Sequence, residues 1–211
     1  MKGTQEQKVS SLGIHYLLYL PADYSQGKKL PLMLFLHGSG ERGKNLELLK
    51  KYGPPKVVET KMDLPFIIVS PQCPKGSYWK AELLMALLDE VIKETAADQE
   101  RIYATGVSMG GYGTWDLATT YPEKFAAIIP ICGGGVEESA GKIKHLPVWT
   151  FHGAKDNIVP LATTQAMVNE LNRIGGNVMF TIYPDAAHDS WTETYDNDKV
   201  YEWLLKQRRS S

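Results

Sequence analysis

Several apolar runs in this chain are too continuous to belong to strands that face water. "LPLMLFLHG" (30–38) and "LPFIIVSPQ" (64–72) carry almost no polar interruption, and "FAAIIPICGG" (125–134) and "PVWTFHG" (147–153) read the same way. A strand wetted on one face alternates apolar and polar residues, whereas a strand covered on both faces does not. Between these runs the spacing changes. "KAELLMALLDEVIKETA" (80–96) has apolar residues at helical intervals and no Gly or Pro, so it predicts an amphipathic helix. "GTWDLATTYP" (113–122) predicts a helix that stops before Pro122, and "LATTQAMVNELNRIGG" (161–176) one that ends at glycines. "IHYLLYLP" (14–21), "RIYATG" (101–106) and "NVMFTIYP" (177–184) are further strands, and "KVYEWLLKQRR" (199–209) is a closing helix. Buried strands alternating with helices predict an α/β fold: a mostly parallel sheet with helices on both faces, three layers in all. In such a sheet ligands sit outside the carboxyl ends of the strands. The loops after each strand are where chemistry is expected.

Size and charge narrow the function classes. The chain has 211 residues, 43% hydrophobic and 22% charged, with a net charge of −1. That is the size of one α/β domain, expected to span 1–211 without linker or repeat. A near-neutral balance gives no reason to expect nucleic acid or an anionic membrane as partner. No stretch approaches the ~18 consecutive apolar residues that would span a bilayer. The start, "MKGTQEQKVSS", is polar and lacks an apolar signal core. The chain is therefore read as cytoplasmic, or as secreted if a leader has been removed. Cys73 and Cys132 fit neither a zinc site nor a redox pair and are read as reduced thiols near the core.

One serine stands out. Gly106-Val107-Ser108-Met109-Gly110 is G-x-S-x-G, after a predicted strand and before a predicted helix. A nucleophile at the apex of such a turn has strained backbone, and its neighbours two residues to either side pass too close to carry a Cβ. Serine is a weak nucleophile and needs a base. In this strand–turn–helix setting the partners follow in the order Ser, acid, His, each on a later loop. "FHGAKDNIVP" (151–160) offers Asp156, and "YPDAAHDSW" (183–191) offers His188. Asp185 and Asp189 compete with Asp156 but share the histidine's own loop; Glu137 and Glu138 follow the preceding strand. Among the other histidines, His15 lies in the first strand, His145 in a polar connection, and His37 opens the "HGSG" loop. His152 ends a strand and is expected to support the Asp156 loop.

An acyl-transfer site also needs amides aimed at the developing oxyanion, each worth ~3 kcal/mol. Met109, at the start of the helix after Ser108, supplies one. The loop His37-Gly38-Ser39-Gly40 supplies the second, with Ser39 preferred over Gly38 or Gly40. Trp79, Trp191 and Tyr78 are aromatic candidates for the rim of a substrate site, while Trp115, Trp149 and Trp203 fall in elements that pack as core. Glu41, Arg42 and Lys44 are read as a solvated loop. The segment 38–63 is expected to form a helix and a wall beside an open, shallow cleft, with no cap domain.

"LPLMLFLHGSGERG", "GVSMGGYGTWDLATTYPEKFAAIIPICGG", "PVWTFHGAKDNIVP" and "AAHDSW", in that order, resemble the α/β-hydrolase superfamily. They are most similar to small bacterial esterases grouped with carboxylesterases/phospholipases, dienelactone-hydrolase-like proteins and feruloyl-esterase-like carbohydrate esterases. The resemblance runs from about residue 14 to about 206. It implies Ser108, Asp156 and His188 as a catalytic triad, with Ser39 and Met109 as oxyanion amides and no cofactor or metal. Two departures matter. Dienelactone hydrolases carry a cysteine nucleophile, and position 108 is serine. Only one clear strand precedes "LMLFLHG", so the sheet is expected to lack an edge strand of larger relatives.

The activity expected is hydrolysis of small-molecule carboxylic esters, short-chain or aromatic, including feruloyl or acetyl groups on sugars. The rival readings are a serine peptidase of the prolyl-oligopeptidase-like type and a non-catalytic binding protein on a hydrolase fold. The sequence leaves the oligomeric state open.

Overall fold

The computed structural model describes residues 3–209. Its strands are β1 (Thr4–Val9), β2 (His15–Leu20), β3 (Leu30–Leu36), β4 (Ile67–Pro71), β5 (Ala97–Val107), β6 (Ala127–Ile131), β7 (Val148–Gly153) and β8 (Val178–Tyr183). They form one eight-stranded sheet in the order β1-β2-β4-β3-β5-β6-β7-β8. β2 runs antiparallel to both β1 and β4, and every pair from β4 through β8 is parallel.

The helices are α1 (Gly53–Thr60), α2 (Ala81–Glu94), α3 (Met109–Thr120), α4 (Leu161–Arg173), α5 (Trp191–Tyr195) and α6 (Asp198–Leu205). Alternation along each strand sorts its side chains onto two cores. On β3, Leu30, Leu32, Leu34 and Leu36 join α2, α3 and α4 through Leu84, Leu88, Trp115, Leu117, Met167 and Leu171. Met33 and Phe35 point the other way, into a core with Val57 and Val58 of α1 and Val200, Tyr201 and Leu204 of α6. The unbroken apolar runs are thus strands buried on both faces, and the architecture is the three-layer α/β sandwich that the sequence predicts.

Three boundaries differ from the sequence reading. An edge strand does precede the first predicted one: β1 pairs with β2 from Thr4↔Leu20 to Val9↔His15. It escaped notice because "TQEQKV" is exposed at nearly every position and carries no apolar alternation. α3 begins at Met109 rather than at 113, since its glycines are helical. The closing helix stops at Leu205 because residues 207–209 tie back to β5 instead. The Tyr103 hydroxyl donates to the Gln207 carbonyl at 2.8 Å, and the Arg209 amide to the Glu100 carbonyl at 2.8 Å.

Candidate active site

Ser108 sits between β5 and α3 with φ 54° and ψ −116°, in a region of φ that L-residues seldom occupy. The turn is so tight that a Cβ on Gly110 would fall 2.5 Å from the Leu36 carbonyl carbon, and one on Gly106 2.6 Å from the carbonyl carbon of Gly110. Both obstacles are backbone and cannot step aside. The Ser108 amide donates to the Ile131 carbonyl at 3.0 Å, fastening the turn to β6. Met109 opens α3, where an amide has no acceptor within its own helix.

His188 lies in the loop after β8, and its Nε2 is 3.0 Å from Ser108 Oγ. Its Nδ1 is 2.7 Å from Asp156 Oδ2. An ionised carboxylate has no hydrogen to give, so Nδ1–H donates and Nε2 is left to accept from the serine hydroxyl. Asp156 comes from the loop after β7. Its side chain is 0% exposed, and its Oδ1 accepts the amides of Ile158 and Val159, each at 2.9 Å. Burial pushes the Asp156 carboxyl up, but hydrogen bonds from His188, Val159 and Ile158 outweigh it and hold the group below the usual carboxylate range.

His152 approaches Asp156 from beneath: its Nε2 lies 3.2 Å from Asp156 Oδ2 and 2.9 Å from the Val159 carbonyl. Its Nδ1 meets Thr164 Oγ1 at 2.8 Å, so β7, the Asp156 loop and α4 are joined through one buried ring. On the far side of His188, Trp191 stands edge-on to the imidazole with centroids 5.2 Å apart, and Tyr52 packs on Trp191 at 5.6 Å.

Among the described residues, one cluster brings three potential metal donors within 4.8 Å of one another: Cys132, Asp156 and His188. Asp156 and His188 already bond each other there. Burial pushes the Cys132 thiol up to about 12, so it is a poor ligand. Both cysteines are free and buried, as the sequence predicts.

A cleft of about 600 Å³ opens beside Ser108, lined by Ser39, Arg42, Tyr78, Trp79, Met109, Tyr112, Gly113 and Asp116. Met109, Tyr112, Gly113 and Asp116 are one face of α3 at i, i+3, i+4 and i+7. The opposite wall is the loop 37–42 with Tyr78 and Trp79. His37 fastens that loop: its Nε2 accepts the Cys73 amide at 2.9 Å, which leaves Nδ1–H to donate to the Gly38 carbonyl at 2.6 Å. Trp79 Nε1 donates to the His37 carbonyl at 3.2 Å. Burial pushes the His37 imidazole down to about 4, with the Gly38 carbonyl opposing and Arg42 adding to the effect.

The sequence candidates thus divide. Ser108, Asp156 and His188 meet. Ser39 and Met109 flank Ser108 in the cleft, and Trp79 and Tyr78 line its wall. Trp191 is not among the lining residues. It begins α5, and the turn there aims its ring at His188 and Tyr52 instead. The solvated-loop reading of 41–44 needs correction too, because Arg42 lines the cleft and Glu41 is half-buried beneath the loop. Burial raises the Glu41 carboxyl against the pull of its own amide and that of Gly38. Of the segment 38–63, only Ser39 and Arg42 reach the cleft; α1 packs under the sheet. Tyr112 and Asp116 are cleft residues that the sequence reading does not single out. Their signal was available: once Ser108 is placed at a helix N-terminus, the face that continues from Met109 is fixed.

Sheet order, elbow and the meeting of Ser108, His188 and Asp156 define the α/β-hydrolase class. Within that class the chain belongs to the phospholipase/carboxylesterase family, whose model matches residues 72–203. Over 154 residues it is 27% identical to a protein named probable feruloyl esterase C from Aspergillus clavatus, covering 70% of this chain and 56% of that one. It is also 27% identical over 150 residues to a bifunctional acetylxylan esterase/xylanase of Neocallimastix patriciarum, covering 67% of this chain and 21% of that one. A solved thermostable esterase superposes with a TM-score of 0.85 at 34% identity, over 99% of this chain and 64% of that one. The chain therefore spans little more than half of the Aspergillus protein and just under two thirds of the thermostable esterase. No helix among the described residues is long and apolar enough to cross a membrane.

Proposed function

We propose that this protein is a serine hydrolase of small carboxylic esters, working through an acyl-enzyme on Ser108. The observation that carries the reading is the unbroken relay from Ser108 Oγ to His188 Nε2, 3.0 Å, and from His188 Nδ1 to Asp156 Oδ2, 2.7 Å. Those are the distances over which a proton passes from a nucleophile to its base. His188 takes the hydroxyl proton as Ser108 attacks the ester carbonyl, then delivers it to the departing alcohol. Asp156 fixes the tautomer of His188 and stabilises its transient positive charge. Water repeats the sequence on the acyl-enzyme. The amides of Met109 and Ser39 receive the oxyanion. Substrates are short-chain or aromatic esters, sugar-linked ones included; the feruloyl and acetylxylan esterases among the relatives support that range.

The test is turnover of 4-nitrophenyl acetate together with labelling by a fluorophosphonate. Wild-type protein is expected to hydrolyse the ester and to carry one adduct, on Ser108. Ser108→Ala and His188→Ala are each expected to cost about 10⁴-fold or more in kcat with the melting temperature kept. Normal turnover by Ser108→Ala ends the proposal. Turnover of aminoacyl 4-nitroanilides in preference to esters would favour the peptidase reading instead.

A further inference from the structure

Arg42 is the residue of the cleft that ester hydrolysis leaves unexplained. Its Nε–H donates to the Ser39 carbonyl at 3.0 Å and one Nη1–H to the Ser77 carbonyl at 3.1 Å. A guanidinium has five N–H donors in a rigid fork, so two anchors orient it and three donors remain. Its planar head also lies 5.7 Å from the centroid of the exposed Tyr78 ring. Among the described residues no carboxylate pairs with it, whereas Arg101, Arg173 and Arg208 all have acidic partners. Arg42 is only part-buried and its bond to Ser39 lies at the exposed rim, so an anionic group of a substrate can reach the free donors directly from solvent.

The neighbouring surface repeats the sign. Behind Tyr78 and Trp79 lies a second cavity of about 460 Å³ whose lining includes Lys44 and Lys80. Neither lysine has an acidic partner among the described residues. Asp116 is the one acid lining the catalytic cleft. It stands two turns along α3, ~12 Å of helix rise from Ser108. Arg42 instead grips the loop that passes directly beside Ser108.

We propose that Arg42 is the specificity residue for esters that carry a second, free acidic group, a carboxylate placed to bridge the three unused donors of its guanidinium. The inference rests on the hydrolase reading above and names its substrate class: half-esters of dicarboxylic acids, or esters of acids borne on the alcohol part. Charge-assisted, forked contact with a carboxylate is the interaction an oriented guanidinium makes best.

The experiment compares matched pairs. On the acyl side, 4-nitrophenyl hemiglutarate is set against 4-nitrophenyl pentanoate; on the alcohol side, 4-acetoxybenzoate against 4-acetoxybenzamide. Each rate is divided by that of alkaline hydrolysis. Wild-type protein is expected to favour the charged member of one pair by about ten-fold or more in kcat/KM, the scale of one hydrogen bond to a charged group. The pair that responds tells which side of the ester Arg42 faces. Raising the salt concentration is expected to weaken that preference and to leave the neutral esters alone. Arg42→Gln lowers all rates, because the Ser39 carbonyl loses its anchor, so the readout is the ratio of charged to neutral. That ratio is expected to collapse in Arg42→Gln and to recover only in part in Arg42→Lys, which restores the charge but not the anchored fork. A wild-type ratio of one or less in both pairs, or a ratio that Arg42→Gln leaves unchanged, overturns the proposal while turnover of neutral esters keeps the hydrolase reading. Failure of every ester, together with no fluorophosphonate adduct, instead removes the hydrolase reading and this inference with it.

Discussion

His37 shows how one buried ring can set the pH response of a loop beside Ser108. Its imidazole is 1% exposed, and burial lowers its pKa from 6.5 to about 4. At pH 5 the unfolded chain binds a proton at this position and the folded chain does not, so acid favours unfolding. The stability is fully present above about pH 6.5, is lost as pH falls through that value, and levels off below about 4. Urea denaturation is expected to give a free energy about 2 kcal/mol lower at pH 5 than at pH 7.5 from this group. His37→Gln should flatten that slope, and an unchanged slope would remove His37 as its source. Trp191 makes a different residue-level case. Its ring backs His188, and its buried Nε1–H has no acceptor among the described residues. It is kept in place by packing alone. Trp191→Ala is expected to lower kcat by about ten-fold through a loosened imidazole, equally for esters of every acyl length. A shift in chain-length preference would instead put the indole in the substrate site.

At the scale of elements, α3 does two jobs with its glycines, and they respond differently to substitution. The Cβ of Gly110→Ala would meet the backbone of Leu36, and this variant is expected not to fold. The Cβ of Gly113→Ala would lie 2.7 Å from Cδ1 of Trp79 and 3.0 Å from its Cβ and Cγ, so the ring must swing and the Trp79 segment must also give by a few tenths of an ångström. That swing costs the bond from Trp79 to the His37 carbonyl and reshapes the cleft wall. Gly113→Ala is therefore expected to fold, to melt a few degrees lower and to raise KM several-fold, as thermal melts and ester kinetics will tell. The contrast also explains what could be read in advance. The elbow was legible because only glycine tolerates backbone at that distance, so the constraint is written in residue type. Asp156 and His188 were legible because each follows a strand, which places both on the same rim as Ser108. Nearness to His188 in sequence does not say which side of its ring Trp191 takes. Arg42 was misjudged because charged residues after a glycine-rich turn usually face water, and its two carbonyl anchors, Ser39 and Ser77, come together only in the folded chain.

The whole molecule depends on how its sheet ends. β1 was invisible in the sequence because its side chains do not feed a core; they hold neighbouring segments by hydrogen bonds. Gln5 Nε2 donates to the Pro55 carbonyl at 3.3 Å and to Glu59 at 2.9 Å, and Gln7 Nε2 to Glu47 at 2.9 Å. These contacts pin α1 and the turn before it, 46–51, over the edge of the sheet. The strand next inward is very different: Tyr16, Leu17, Leu18 and Tyr19 of β2 are all buried. A polar strand on the outside of an apolar one is the arrangement that keeps an edge from recruiting other chains. Deleting residues 1–9 uncovers the amides and carbonyls of β2 and frees α1. The loops that carry Ser39, Ser108, Asp156 and His188 follow β3, β5, β7 and β8 and the Tyr78–Trp79 wall follows β4, so β2 stands between β1 and all of these strands. The truncated protein is thus expected to associate as its concentration rises, on size-exclusion chromatography with light scattering, and to melt at a lower temperature. Its kcat per monomer, measured at high dilution, is expected to fall, though by no more than Trp191→Ala costs, because the freed α1 carries Tyr52, which packs on Trp191 behind His188. A truncated protein that stayed monomeric at high concentration would mean that β2 needs no cover, and an unchanged kcat at high dilution would mean that Trp191 holds His188 without help from Tyr52.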